Sequence, residues 1–331
     1  MSLVTTLGMF IIDENRYLDG TNTPPQTDII GGAEPYAIIG SRIVCPLSLA
    51  HRISGIIDTG TDFPSLVRHE LDTWGTGHIY RTHGDRLTTR GVNTYRAGGK
   101  REFAYLTPRL RIEAKDIVAY PELRHSRTYH LICSVGRARA LMDAVRQVNP
   151  DAEFIYEPLP DDCVVERFGE LKGVLRDVHV FSPNLDEAKS FLGWKEGDGE
   201  EDVGEIARKF TEFMEVENSG TVLRCGAEGC FIRTVDGMEL SLPAYHQDQR
   251  DVVDVTGGGN SFCGGFILGF CLSGGDWIQA GVAGNISSGC IIEKLGMPEV
   301  SGDVFNGKTL KERLEVYRGL NPGVDVKLDW I

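Results

Sequence analysis

The chain of 331 residues predicts an α/β fold: a central, mostly parallel sheet with helices on both faces and a small β lid. Three observations predict it. Short β-branched or apolar runs alternate with patterns of helical period, which calls for parallel strands joined by covering helices. A glycine triplet at 257–259 separates a β-branched run, Val252 to Val255, which suits a buried strand, from a largely apolar stretch, Ser261 to Ser273, long enough for a buried helix. Between Leu87 and Leu106, Val92, Thr94, Tyr95, Phe103 and Tyr105 alternate among Arg and Gly, which suits a β lid or an ordinary exposed hairpin.

Leu3 to Ile12 predicts the first strand. The polar, proline-bearing segment Asp13 to Asp28 leads to Gly31-Gly32 and an apolar helix from about Ala33 to Leu49. Further strands are expected at Ile53 to Ile57, Ile79 to Thr82, Thr128 to Cys133, Glu153 to Tyr156, Val178 to Phe181 and Thr221 to Cys225. Helical patterns at Arg137 to Val148, Val164 to Leu175 and Gly204 to Val216 separate most of them. Glu196 to Glu205 is acidic and glycine-bearing, a solvated loop and helix start, and Lys308 to Tyr317 is helical. No repeat or low-complexity tract divides the chain, so one domain over 1–331 is expected.

With 34 Lys and Arg against 48 Asp and Glu, the net charge of −14 argues against a broad nucleic-acid or anionic-membrane surface and leaves room for a local basic pocket. Forty glycines, against a typical share of ~7%, indicate many tight turns and close approaches in a chain of normal apolar content. The eight cysteines contain no Cys-x-x-Cys pair and several lie in apolar runs, so buried free thiols in a reducing compartment are expected. Met1 to Ile12 lacks a basic leader, and no apolar run approaches the ~20 residues that span a bilayer. A cytoplasmic protein, compatible also with the nucleus, is the expectation.

The triplet Gly257, Gly258 and Gly259 carries the chemistry. Glycine tolerates positive φ and lets a ligand approach the backbone, so a glycine turn opening a helix presents several N–H groups in one direction, and the helix dipole makes the place attractive to anions. Taken alone, the triplet is equally a tight turn. The segment lacks the Gly-Lys-Ser/Thr ending of a P-loop, and Phe262 stands at the third glycine of a dinucleotide fingerprint, so neither motif applies. No nucleophile elbow or Cys/His pair supports acyl transfer.

Asp-x-Thr-Gly-x-Gly, followed by an acid and a small-residue-rich helix, is the signature of the PfkB carbohydrate kinases, the ribokinase-like family. Asp254 to Phe262 resembles it, with Asn260 in place of the acid. The resemblance extends to Gly8, Asp13, Gly31-Gly32-Ala33, Ser182-Pro183-Asn184 with Glu187, Gly226-Ala227-Glu228-Gly229, and Asn285 eleven residues before Gly296. It covers nearly the whole chain and is similar to a divergent fungal branch of the family, the killer-maintenance type.

The resemblance implies a set of roles. Gly257, Gly258, Gly259 and position 260 would meet the charge on a transferred phosphoryl group, with Asp254 supporting that loop. Asp13, Gly31, Gly32 and Tyr36 would face the acceptor, Tyr36 standing where relatives carry an Asn. Gly226, Gly229 and Asn285 would line the nucleotide side, while Asn184 and Glu187 would organise Mg²⁺ and phosphate through water. Segments 13–30 and 87–106 would form the lid, which in many relatives is also a dimer contact. ATP and Mg²⁺ are the implied cofactors and a sugar-like or nucleoside-like small molecule the implied partner.

Asn260 accepts a hydrogen bond through its carbonyl oxygen but is no general base at neutral pH. The leading expectation is therefore an attenuated ATP-dependent phosphotransferase. A catalytically silent nucleotide or metabolite binder acting through a protein partner, and a cleft redirected to other chemistry, stay open beside it.

Overall fold

The computed structural model describes residues 1–18, 20–21, 23–96, 101–194, 202–324 and 326–331. Its strands, in chain order, are β1 (Val4–Thr6), β2 (Ile11–Leu18), β3 (Gln26–Gly31), β4 (Ile53–Ser54), β5 (Ile56–Thr59), β6 (Ile79–Thr82) and β7 (Arg90–Arg96). They continue with β8 (Arg101–Tyr105), β9 (Thr128–Cys133), β10 (Glu153–Pro158), β11 (Val180–Phe181), β12 (Gly220–Arg224), β13 (Cys230–Thr234) and β14 (Glu239–Leu242), and a small separate sheet of β15 (Val300–Ser301), β16 (Val304–Phe305) and β17 (Lys308–Thr309) follows. Helices α1 (Ala33–Ile43), α2 (Ser65–Thr73), α3 (Ala114–Ala119), α4 (Pro121–Arg124), α5 (Val135–Arg146) and α6 (Val165–Leu175) alternate with them. The series ends with α7 (Leu185–Leu192), α8 (Val203–Thr211), α9 (Gly258–Leu272), α10 (Trp277–Ile292) and α11 (Leu310–Leu320).

Eight strands make the central sheet in the order β14-β13-β12-β11-β10-β9-β1-β4. All pairs from β4 to β12 are parallel, and β13 alone runs against its neighbours. Every residue of β9 is buried, as a strand covered on both faces requires. One apolar cluster joins α1, α9 and α10 to one face, and a second joins α5, α6 and α8 to the other. This is the ribokinase-like α/β arrangement expected from the sequence.

A separate four-stranded sheet, β3-β2-β7-β8, pairs β2 in parallel with β7 and antiparallel with β3. Its strands come from the two segments expected to form a lid, of which 19, 22 and 97–100 lie outside the described residues. Leu3 to Ile12 is thus two strands: the chain leaves the central sheet after Thr6 and enters the small sheet at Ile11. The helix expected to reach Leu49 ends at Ile43, and the acidic segment expected to be solvated falls largely at 195–201, outside the described residues. Val252 to Val255 is a plain error of the sequence reading. The run forms no strand, and Val253 and Val255 are exposed.

Three helices are locked together at the base of the glycine turn. A Cβ on Gly40 would stand 2.3 Å from the Ser261 carbonyl oxygen, on Gly264 2.0 Å from that of Ala37, and on Gly265 2.2 Å from Ser287 Oγ. With the backbones this close, Ser41 Oγ donates to the Gly264 carbonyl at 2.8 Å and Ser287 Oγ to that of Gly40 at 2.7 Å. Small residues here set the position and direction of α9, and hence where its N-terminus points.

Gly264→Ala should therefore cost about 1–3 kcal/mol by overpacking α1 against α9. Gly173→Ala, on an open and exposed position of α6, should instead stabilise by up to about 1 kcal/mol through helix propensity. Urea unfolding midpoints of the two variants measure the contrast, and equal effects would show that the three-helix contact is not tight.

Candidate active site

The triplet begins α9. Gly257 adopts φ 78°, a left-handed conformation, and a Cβ there would meet the Tyr36 ring at 2.1 Å, so the position requires glycine for two reasons. Gly258 N–H donates to the Val255 carbonyl at 3.1 Å, and no side chain caps the helix. The Gly259 and Asn260 N–H groups are left at the positive end of a 15-residue helix, which is the electrostatic requirement for binding an anion. Asp254 Oδ1 accepts from Thr256 N–H at 3.0 Å and thereby shapes the approach to the turn.

A cleft of about 280 Å³ opens beside this turn. Asn184, Gly226, Gly229, Gly258, Gly259 and Asn285, all singled out from sequence, line it together. Gly226 and Gly229 have φ of 57° and 87° in the connection from β12 to β13, where a tight reversal needs them. Asn285 is buried in α10, and its amide donates to the Leu242 carbonyl at 3.4 Å. Asn184 caps α7: its Oδ1 accepts from Glu187 N–H at 2.8 Å, while Glu187 Oε2 accepts from Asn184 N–H at 2.8 Å. Asn184 thus serves both the capping motif and the cleft lining.

The residues expected to face the acceptor lie apart from that cleft. Asp13 sits at an irregularity of β2, with its carboxylate against Gly31 and Gly91, where Cβ atoms would come within 2.1 and 2.9 Å of its oxygens. Gly32, at φ 90°, turns the chain from β3 into α1. Tyr36 is buried beneath Gly257 as part of the apolar core, so it shapes the turn from below.

Asn260 reaches a group the sequence reading missed. Its Nδ2 donates to Glu157 Oε1 at 3.0 Å, across 103 residues of chain. The same oxygen receives Arg224 Nη1 at 2.9 Å, and Oε2 is 3.1 Å from His130 Nε2. Arg224 Nη2 also meets Glu187 Oε2 at 3.1 Å, so one guanidinium joins two carboxylates. Burial by itself would raise the Glu157 pKa, but Arg224, His130 and Asn260 outweigh it and bring it down to about 2. Burial raises that of Glu187 instead, with Arg224 opposing.

Two signals could have found these groups. Glu157 ends an otherwise apolar run, Phe154 to Tyr156, and Arg224 ends Val222-Leu223, so both charges lie at the carboxyl ends of parallel strands, where ligand crevices form. Among the described residues, His130, Glu157 and Cys263 also present ligand atoms within 4.8 Å of one another. A cation there would face the Arg224 charge and a thiol whose pKa burial raises, so the trio reads as packing around Glu157.

The model of the pfkB family of carbohydrate kinases matches residues 76–300. The chain is 35% identical to Protein MAK32 of Saccharomyces cerevisiae over 96% of its own length and 92% of that protein's. It is 31% identical to an uncharacterised protein of Schizosaccharomyces pombe, covering 94% and 91%. The structure of a putative ribokinase II from E. coli in complex with ATP and Mg²⁺ superimposes with a TM-score of 0.69 at 16% identity, covering 96% of this chain and all of that one.

Two predictions concern the Glu157 contact. Asn260→Asp replaces a donor with a second carboxylate about 3 Å from Glu157 and should cost about 1–3 kcal/mol at neutral pH. Adding Glu157→Gln restores a donor–acceptor pair, so the double variant should be more stable than the sum of the single losses by about 0.5–3 kcal/mol, measured by a urea double-mutant cycle. A stable single Asp variant would contradict the contact. For pH, a carboxylate with a depressed folded-state pKa stabilises fully above its ordinary value of 4.5, and that contribution is lost as pH falls towards about 2. It amounts to about 3 kcal/mol by the pKa difference. The stability gap between the native chain and Glu157→Gln should therefore shrink across that window.

Proposed function

The chain belongs to the pfkB family of carbohydrate kinases, and from that premise we propose that it is an ATP-binding phosphotransferase acting on a hydroxyl of a sugar-like or nucleoside-like small molecule. The observation that carries this reading is the convergence of Asn184, Gly226, Gly229, Gly258, Gly259 and Asn285 on one cleft at the uncapped start of α9. A nucleotide fits that chemistry: small residues leave room for a base, and the helix start faces its phosphates. The superimposed E. coli structure holds ATP and Mg²⁺ in the same fold.

For Mg²⁺, the fitting observation is at Glu187. Its Oε2 is occupied by Asn184 and Arg224, and its Oε1 accepts from none of the described residues, which leaves one acceptor for a metal-bound water beside Asn184. Mg²⁺ keeps several waters and needs few protein ligands, and when bound it would offset phosphate charge.

In the reaction, the acceptor oxygen forms a bond to the terminal phosphorus as the bond to the β-phosphate bridging oxygen breaks, and ADP departs with the electron pair. The Gly259 and Asn260 N–H groups meet the charge on the transferred group. Asn260 has its amide nitrogen committed to Glu157, so its carbonyl oxygen is the end that accepts from a hydroxyl. The proton then passes to water instead of a carboxylate at this position. Loss of a general base costs about 10²- to 10⁴-fold, or about 3–5 kcal/mol of barrier, which is the attenuation expected. Asp13, between Gly31 and Gly91, holds the acceptor, and the small sheet covers it as a lid. Leu18, Phe103 and Tyr105, exposed on that sheet, suit a dimer contact. Eight free cysteines, seven of them buried, suit a reducing compartment such as the cytosol.

Isothermal titration should show ATP binding that strengthens with Mg²⁺, and a panel of sugars and nucleosides should contain a compound that accelerates ADP release. Binding with no turnover on any compound would favour the silent binder, which the amide at 260 already allows. Absence of ATP binding would sink both.

A further inference from the structure

Arg224 stands in a place that electrostatics disfavours unless an anion joins it. A guanidinium carries five N–H donors in a fixed plane. Nη1 meets Glu157 and Nη2 meets Glu187, while Nε is buried and has no hydrogen-bond partner among the described residues. The side chain is 11% exposed, and it lines the cleft with Gly258 and Gly259. Nη1 lies 2.2 Å from the point a Cβ on Gly259 would occupy, so the cation rests directly on the backbone that opens α9. A positive charge at the positive end of a helix is unfavourable, and here two carboxylates from β10 and α7 hold it there.

An anion entering the cleft would meet N–H groups of the helix start on one side and the planar donors of Arg224 on the other. We propose that Arg224 is a ligand of the terminal phosphate of the bound nucleotide, with Glu157 and Glu187 as its positioning residues. The inference rests on the phosphotransferase reading of the same cleft and adds to it the group that compensates phosphate charge. Arg suits the role because its fork matches phosphate oxygens in two directions at once, which a lysine does not.

Asn260 belongs to the same device. Its amide and Arg224 share the single oxygen Glu157 Oε1. A carboxylate at 260 would repel Glu157 and draw Arg224 away from the cleft, whereas an amide donates to Glu157 and leaves the guanidinium in place. The amide at 260 and the arginine at 224 are thus two donors to one carboxylate oxygen.

The test compares binding of Mg·ATP and of AMP, by titration calorimetry, to the native chain and to Arg224→Lys. Loss of a bidentate charge-assisted contact should weaken ATP about tenfold or more, with AMP affinity unchanged. Should Arg224→Lys lose its fold, Arg224→Met combined with Glu157→Gln removes the guanidinium together with one of its two carboxylates, Glu187 keeping its bond from Asn184 N–H, and carries the same expectation. Unchanged ATP affinity, tighter ATP binding, or an equal loss for ATP and AMP would each overturn the role of Arg224 and leave the nucleotide site standing. Failure of the native chain to bind either nucleotide would overturn the site itself, and the inference with it.

Discussion

Glu157 Oε1 is the atom on which the site depends. It is a buried carboxylate oxygen at the end of β10 that receives both the Asn260 amide and the Arg224 guanidinium, while its partner oxygen meets His130. A buried charge is tolerated only when paired and hydrogen-bonded, and Glu157 has three donors. Each of those donors is in turn fixed: Asn260 on the first turn of α9, Arg224 at the end of β12, His130 in the middle of the fully buried β9. The carboxylate therefore ties the helix start to three strands of the central sheet.

That tie is useful only because α9 is already aimed. Gly40, Gly264 and Gly265 allow α1, α9 and α10 to approach until serine hydroxyls reach carbonyls across the contacts. Gly257 adds a left-handed residue stacked on Tyr36, so the N-terminus emerges at the cleft with its N–H groups uncapped. Packing sets direction, the turn sets exposure, and the Glu157 network sets charge. On the proposed reading, the three together make a phosphate site with an amide at position 260 and a carboxylate at position 157 that orders donors instead of abstracting a proton.

Much of this was legible in the sequence because it is local. The glycine triplet, the glycines of the β12–β13 turn, and Asn184 with Glu187 are short-range patterns with backbone consequences, and the structure gathers Asn184, Gly226, Gly229, Gly258 and Gly259 in one cleft. Parallel strands such as β9 were legible for the same reason, as continuous apolar runs. Val252 to Val255 misled because β-branched residues favour extended backbone whether or not a partner strand is present, and here none pairs with them. Glu157 and Arg224 were missed because their meaning is a contact: nothing near either residue announces that Asn260, 103 positions from Glu157, will share its oxygen. Tyr36 carries a packing role that no local pattern announces: its ring fills the space beneath Gly257.

The central claim is that phosphate binds between the start of α9 and Arg224. A structure of the protein with Mg²⁺ and a non-hydrolysable ATP analogue tests it most directly. The account predicts the terminal phosphate within hydrogen-bond distance of Gly259 N, Asn260 N and the Arg224 guanidinium, with the base between the Gly226–Gly229 turn and Asn285. A nucleotide whose phosphates lie elsewhere, with Arg224 still closed on Glu157 and Glu187 over an empty helix start, would contradict it.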